Sequence, residues 1–227
     1  MNRRTNHRLP PPRALLFDWD DTLVDNWQTI HEALNATFEA MGRPTWSLQE
    51  TQRNARRSAR DRFPQLFGER WQEAQEIFYD AFRRNHLRTL RALPHAETML
   101  SHLQASGLLL AVVSNKNGDF LRREAAHLGW TGYFRRLVGA ADATADKPAK
   151  AAVTLALRGS GLSCGPEVWF VGDADIDVEC ARNAGLSAVL LQGPGGCRQA
   201  VVGERHALRL SDCAELMYTV DGLLRQL

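Results

Sequence analysis

Short apolar runs recur along the chain, and stretches with helical periodicity separate them. The runs lie at 15–17, 108–113, 168–171 and 188–191. Runs of this length with polar residues on both sides predict buried strands, and the periodic stretches predict amphipathic helices. Strands that alternate with helices in this way form a parallel sheet that is covered on both faces.

The long interval between the first and second runs contains no strand-like pattern. Its periodicity predicts helices over 26–41, 47–62 and 69–90. We therefore expect an α/β fold with a doubly wound, parallel-sheet (Rossmann-like) core over 14–24 and 94–227. A small α-helical cap domain is expected as an insertion at 25–93.

Acidic residues directly follow the first predicted strand. Asp18 and Asp20 are one residue apart, so both side chains point to the same side of a regular strand. Two such carboxylates can hold a hard cation such as Mg²⁺, or share the roles of nucleophile and general acid or base. The alternative is a turn rich in aspartate, because Asp is a common turn residue.

Polar side chains also follow the second strand and precede a later helix. Ser114 and Asn115 end the second run, and a helical pattern begins near Gly118, where free backbone amides can bind a phosphate. Lys147 stands before Pro148 at the predicted start of another helix, and it supplies a mobile positive charge. Both segments are therefore candidates for binding an anion.

The third run leads into a second acidic segment that contains Asp173, Asp175 and Asp177. Asp175 is expected in the first turn of a helix, where an acid is favourable to the helix dipole. In parallel sheets, ligands collect outside the carboxyl ends of the strands. The acids that follow the first and third strands are therefore expected to lie together at that edge.

These segments together resemble the four motifs of the haloacid dehalogenase superfamily, in its phosphoglycolate phosphatase-like branch with a helical cap. The matching residues are Asp18, Asp20 and Thr22 in the first motif, Ser114 in the second, Lys147 in the third, and Gly172, Asp173 and Asp177 in the fourth. The resemblance covers roughly residues 13–191. It departs from the family pattern at Asp21, where the family commonly has glycine.

The resemblance implies a role for each acid. Asp18 would be the nucleophile, and Asp20 would protonate the leaving alkoxide and then deprotonate the attacking water. Mg²⁺ would be held by Asp18, Asp173 and the backbone carbonyl of Asp20. Asp177 would be a direct ligand or an outer partner of the metal.

The resemblance also implies how a phosphate would be bound. Lys147 would steady the Asp18 carboxylate and the phosphate, while Ser114 and Asn115 would donate hydrogen bonds to phosphate oxygens. For Lys116, a solvated lysine at a helix start is the favoured interpretation over a catalytic role.

The predicted function is that of a Mg²⁺-dependent phosphatase, a phosphoric monoester hydrolase acting on a small phosphorylated metabolite through an aspartyl-phosphate. Phosphoglycolate is the first candidate substrate, by resemblance only. The alternatives are a phosphomutase of the β-phosphoglucomutase type, which would need a cap that keeps water off the intermediate, and a non-catalytic phosphate-ligand binding protein. Dehalogenase chemistry is disfavoured, because those relatives need no metal and typically lack the second aspartate.

The predicted cap carries a basic stretch and many aromatic residues. On one helix Arg53, Arg56, Arg57 and Arg60 would share a face, and this face would either bind a second anionic group or be solvated. The aromatic residues are interpreted as cap packing rather than a platform for stacking bases. They are Trp27, Trp46, Phe63, Phe67, Trp71, Phe78 and Phe82.

Composition narrows the classes of partner. The chain has 227 residues, 44% of them hydrophobic, and a formal net charge of +2, so its overall charge does not require nucleic acid or a membrane as partner. No apolar run approaches the roughly 20 residues that span a bilayer. Residues 1–13 are expected to be a disordered leader, the four cysteines to be free thiols, and the location to be cytoplasmic.

Overall fold

A computed structural model describes residues 9–55, 57–192 and 207–226. Its strands are β1 (Ala14–Phe17), β2 (Val24–Asp25), β3 (Arg91–Ala92), β4 (Leu109–Asn117), β5 (Arg136–Ala140), β6 (Val168–Gly172), β7 (Ser187–Leu191) and β8 (Leu208–Leu210). Six of them form a parallel sheet in the order β5-β4-β1-β6-β7-β8. The short strands β2 and β3 pair antiparallel beside it.

Helices cover both faces of the sheet and fill the insertion. They are α1 (Trp27–Ala40), α2 (Leu48–Asn54), α3 (Ala59–Phe67), α4 (Trp71–Thr89), α5 (Ala96–Ala105), α6 (Gly118–His127), α7 (Lys150–Leu157), α8 (Asp175–Ala184) and α9 (Cys213–Leu224). Short 3₁₀ turns lie at Gly68–Arg70 and Thr131–Tyr133.

The strands bury both of their faces, because successive side chains point to opposite sides of the sheet. Leu15 and Phe17 of β1 pack into a layer under α5, α6 and α9. Ala14 and Leu16 pack into the opposite layer under α7 and α8. The predicted doubly wound α/β core is therefore confirmed.

The helices α1 to α4 form the inserted helical cap. Its interior is apolar and largely aromatic, with Phe38 in contact with Trp46 and Phe67 at ring-centroid distances of 4.7 and 5.5 Å. The paired strands β2 and β3 stand where the chain enters and leaves this insertion. The aromatic residues pack within the cap and against the core, while the exact domain boundaries at 25–93 stay a prediction.

The observed elements differ from the predicted ones in several places. The helix predicted over 47–62 is two helices, because the Ser58 hydroxyl accepts the Asp61 amide at 3.3 Å and begins α3 there. The strand predicted over 108–113 continues as far as Asn117, and β5 and β8 were not predicted. The continuation of β4 brings its polar end residues to the edge of the sheet.

Part of the predicted leader contacts the core. Leu9 packs against the apolar layer under α5, and Trp169 Nε1 donates to the Pro10 carbonyl at 3.1 Å. Residues 1–8 lie outside the described residues, as does the glycine-rich segment 193–196, which its composition predicts to be a loop.

The remaining predictions on composition concern thiols and membrane spans. Cys164, Cys180 and Cys213 are free thiols, and Cys197 lies outside the described residues. In the described part of the chain, no helix has the length and apolar character that crossing a membrane requires.

Candidate active site at the carboxyl edge of the sheet

The acids that follow β1 and β6 meet because these strands are neighbours in register. Phe17 pairs with Val171, and the Asp18 amide donates to the Val171 carbonyl at 2.8 Å. Asp18, Asp173 and Asp177 each present a carboxylate oxygen, and these oxygens lie within 4.8 Å of one another. The structure thus brings these three predicted residues together.

Lys147 contacts two of these three acids. Its Nζ lies 2.8 Å from Asp18 Oδ1 and 2.7 Å from Asp177 Oδ1, and the side chain is almost fully buried. Burial alone would lower the pKa of Lys147, but the charges of Asp177 and Asp18 raise it above its usual value. The ammonium group is therefore a fixed positive charge beside Asp18.

The position of Lys147 in the fold differs from the prediction. The helix α7 begins at Lys150 rather than at Pro148, and a cis peptide bond joins Lys147 to Pro148. Lys147 is therefore held in a loop that precedes the helix.

Asp177, in the first turn of α8, holds the acidic loop together. Its Oδ2 accepts the backbone N–H groups of Asp173 and Ala174 at 3.2 and 3.1 Å. Burial raises the pKa of Asp177, although Lys147 opposes this shift. A Cβ atom at Gly172 would lie 2.3 Å from Asp177 Oδ2, so this close approach requires glycine at the end of β6.

Asp20 lies beside a second buried lysine. Lys116 Nζ is 2.7 Å from Asp20 Oδ1, and only 4% of the Lys116 side chain is exposed. Burial raises the pKa of Asp20 to about 7, although the charge of Lys116 lowers it from where burial alone would place it. The interpretation of Lys116 as a solvated lysine was wrong, because β4 continues through this residue and directs its side chain inward.

Ser114 and Asn115 lie at the same edge, near the end of β4. Ser114 is buried, and the Asn115 amide group donates to the Lys147 carbonyl at 3.3 Å. Both side chains line the cleft that also contains Asp18 and Asp20. The structure therefore brings the predicted phosphate-binding residues to the predicted acids.

The start of α6 does not fit the predicted phosphate cradle. The helix is capped by Asn117, whose Oδ1 accepts the amides of Asp119 and Phe120 at 3.0 and 3.4 Å. These two amides already have a side-chain acceptor. The predicted cradle therefore lacks these two amides, while Ser114, Asn115 and Lys147 remain candidate donors to an anion.

Sequence reasoning missed Glu124, a buried acid on α6. Its carboxylate accepts from Lys116 Nζ at 2.8 Å and from Trp19 Nε1 at 2.7 Å. Burial alone would raise the pKa of Glu124, but Lys116 and the other hydrogen-bond donors lower it. One signal was present in the sequence: Glu124 lies in the apolar stripe of α6 with Leu121 and Leu128, a position that a solvated acid would not take.

Asp21, the departure from the family pattern, has a left-handed backbone with φ of 62°. Glycine adopts this conformation without strain, and Asp is among the few other residues that tolerate it. The structure therefore explains why glycine suits this position and why aspartate can replace it. Thr22, next in the chain, donates to Asp173 Oδ1 at 3.4 Å.

The cap covers the acids and leaves a cleft between itself and the core. On the cap side the cleft is lined mostly by aromatic and aliphatic side chains, including Trp27, Phe63 and Tyr79, together with Arg57 and Arg62. The cleft therefore has an apolar wall with two arginines on the cap side, and the acids at the edge of the sheet on the core side.

The described arginines of the basic stretch, Arg53, Arg57 and Arg60, do not share one helix face, because the helix ends at Asn54. Arg53 lies in α2, Arg57 in the connection and Arg60 in α3. Arg60 forms an ion pair with Asp146 at 2.7 Å, so it is not available as an anion clamp. Arg56 lies outside the described residues.

Residues 15–191 match the family model described as haloacid dehalogenase-like hydrolase. This match covers well over half of the chain, and the protein therefore belongs to the haloacid dehalogenase-like hydrolase family. The resemblance stated from the motifs is confirmed.

Comparison with individual proteins agrees with this family. The chain is 26% identical over 216 residues to a phosphoglycolate phosphatase from Rhodobacter capsulatus, covering 92% of this chain and 97% of that protein. It is 28% identical over 180 residues to a phosphoglycolate phosphatase from Aquifex aeolicus, covering 78% and 84% respectively. The crystal structure of a predicted phosphatase from Clostridium acetobutylicum superposes with a TM-score of 0.82 at 18% identity, covering 93% of this chain and 99% of the other, which shows the shared fold. The family and these relatives confirm the predicted class of enzyme, a phosphoric monoester hydrolase.

Proposed function

We propose that this protein is a Mg²⁺-dependent phosphatase that hydrolyses a small phosphomonoester through an aspartyl-phosphate on Asp18. The observation that carries the proposal is the meeting of Asp18, Asp173 and Asp177, two of which, Asp18 and Asp177, form ion pairs with Lys147. Phosphoglycolate is the first candidate substrate, because the curated relatives carry that name.

The donor set fits Mg²⁺, which prefers carboxylate and carbonyl oxygens. Asp18 and Asp173 would hold the ion, with the backbone carbonyl of Asp20. Both oxygens of Asp177 already accept hydrogen bonds from Lys147 and from the backbone of its own loop, so Asp177 fits a role that orients the ligands from outside. When bound, Mg²⁺ supplies positive charge that neutralises the phosphoryl oxygens.

The residues permit a two-step displacement. The Asp18 carboxylate attacks phosphorus, the bond to the ester oxygen breaks, and the Asp20 carboxyl protonates the departing alkoxide. Asp20 then takes a proton from water, which attacks the phosphorus of the aspartyl-phosphate and releases inorganic phosphate and free Asp18.

Cationic and hydrogen-bonding groups support these steps. Lys147 neutralises the charge that Asp18 and the phosphate bring together, and it costs little reorganisation because it is already held in place. Ser114 and Asn115 donate to the phosphate oxygens. The phosphoric monoester hydrolase class does not favour the phosphomutase or the binding-protein alternative. A cytoplasmic location stays a prediction.

The test is phosphate release from a panel of phosphomonoesters, including phosphoglycolate, sugar phosphates, nucleotides and p-nitrophenyl phosphate, with Mg²⁺ and with EDTA. We expect release that depends on Mg²⁺ and is lost in Asp18→Asn. Asp175→Asn is the matched control, because it removes one charge from an exposed acid near the site. Turnover by a folded Asp18→Asn variant would contradict the mechanism, and release unaffected by EDTA would contradict the metal.

A further inference from the structure

Glu124 is buried at the junction between core and cap, where each of its oxygens has two donors. Lys116 Nζ and Trp19 Nε1 donate to Oε2 at 2.8 and 2.7 Å. Asn26 Nδ2 and His86 Nδ1 donate to Oε1 at 3.0 and 2.9 Å. The side chain has no exposed surface. All acceptor positions of the carboxylate are therefore used.

The donors come from the segments that surround the proposed reaction. Trp19 stands between Asp18 and Asp20, Asn26 immediately precedes the cap helix α1, and His86 lies in the last turn of α4. A buried charge is tolerated only when its partners are complete, so this network holds the first motif and both cap connections in one arrangement.

Lys116 connects the hydrogen-bond network of Glu124 to Asp20 in the proposed active site. Its Nζ bridges Glu124 and Asp20 at 2.8 and 2.7 Å, and its position over the Phe82 ring, 5.1 Å from the centroid, leaves little room for another rotamer. The orientation of the Asp20 carboxylate therefore depends on where Glu124 places the ammonium group.

We infer that Glu124 is a positioning residue which, through Lys116, holds the Asp20 carboxyl in the orientation that proton transfer to the leaving group needs. This inference rests on the proposed function. It assigns Glu124 no contact with the substrate. In the step that forms the aspartyl-phosphate, it predicts a defect specific to leaving groups that require protonation.

The test compares two aryl esters with different leaving groups, phenyl phosphate and p-nitrophenyl phosphate, at saturating Mg²⁺. Nitrophenolate leaves with little need of a proton, whereas phenolate needs one. Glu124→Gln replaces one acceptor oxygen by an NH₂ group that cannot accept. We expect kcat/KM for phenyl phosphate, which reports the step that forms the aspartyl-phosphate, to fall about 10- to 100-fold, since small displacements of catalytic groups have effects of this order. For p-nitrophenyl phosphate we expect a loss of kcat/KM below about threefold, because general acid assistance is small there.

Lys116→Met should reproduce the selective loss of kcat/KM while leaving Glu124 its other three donors. The Lys116 variant keeps the inference testable where Glu124→Gln does not fold. Glu97→Gln, which removes an exposed charge from α5, is the control and should behave as the wild-type protein.

Equal losses of kcat/KM on both esters would overturn the inference and leave Glu124 a structural residue. Wild-type protein that releases no phosphate from either ester would overturn the proposed function, and this inference with it. Since the first result requires an active wild-type protein, the two failures are distinguishable.

Discussion

At the scale of single residues, Asp21 shows what a left-handed backbone conformation costs a residue other than glycine. Its φ of 62° costs a residue with a Cβ atom roughly 1–2 kcal/mol relative to glycine. We expect Asp21→Gly to have a higher free energy of unfolding than Asp21→Ala by about 1 kcal/mol, because both variants lose the carboxylate and only alanine keeps the backbone strain. Urea denaturation measures this difference. Equal stability of the two variants would show that the loop relaxes away from the left-handed conformation.

Apart from Lys147 and Asp177, the residues that the sequence predicted at the site share one property: they come shortly after a predicted apolar run. Asp18 and Asp173 could be placed from local pattern alone, because parallel strands end at a common edge. Glu124 and Trp19 are 105 positions apart in the chain, and their contact depends on the packing of α6 against the first motif. Lys116 was misjudged for the same reason, since a lysine is usually solvated unless a distant acid pairs with it.

At the scale of elements, an ion pair connects the cap helix α3 to the core. The Asp146 side chain is 1% exposed, accepts the Ala141 amide at 2.9 Å and pairs with Arg60 at 2.7 Å. We expect Arg60→Gln to lower the free energy of unfolding by about 1–2 kcal/mol, because it leaves a buried carboxylate short of its charged donor.

The matched control for that prediction is Arg70→Gln. Arg70 pairs with Glu73 at 2.8 Å, but both side chains are more than half exposed. Solvent screens exposed pairs, which contribute little to stability, so this variant should be close to wild type. Urea denaturation of the two variants measures the difference. An equally small loss of the free energy of unfolding in both variants would mean that water replaces Arg60 as a hydrogen-bond donor to Asp146.

The elements also show which boundaries a sequence can reveal. The continuous helical pattern over 47–62 hid the break before α3, although Ser58 followed three residues later by Asp61 is a helix-start signal. The strand β5 was missed because its apolar part is short and begins with a polar residue at Arg136. Its place at the sheet edge is decided by pairing with β4, which local pattern does not contain.

At the scale of the whole molecule, the fold gathers charges that repel each other. Asp18, Asp173 and Asp177 converge at the end of a sheet buried on both faces, with Lys147 as the cation in contact with two of them. Like charges at this spacing disfavour the compact state when no metal is bound. The apolar layers of the core, the ion pairs of Lys147 and the hydrogen bonds of Asp177 together offset this repulsion and hold the proposed site in place.

The repulsion between these acids predicts how the stability of the protein responds to Mg²⁺. A ligand that binds only the folded state at a hundred times its dissociation constant adds about 2.7 kcal/mol, which for a chain of this size is several degrees in melting temperature. We expect Mg²⁺ to raise the melting temperature of the wild-type protein and not that of Asp173→Asn.

In EDTA, by contrast, Asp173→Asn should melt above the wild-type protein, because it removes one of the repelling charges. Asp175→Asn, which removes the charge of an exposed acid close to the site, should keep the wild-type response to Mg²⁺. Differential scanning calorimetry of the three proteins with and without Mg²⁺ makes the comparison independent of turnover. A Mg²⁺ shift retained in Asp173→Asn would place the ion elsewhere, and a lower melting temperature of that variant in EDTA would mean that the Asp173 hydrogen bond to Thr22 outweighs the repulsion.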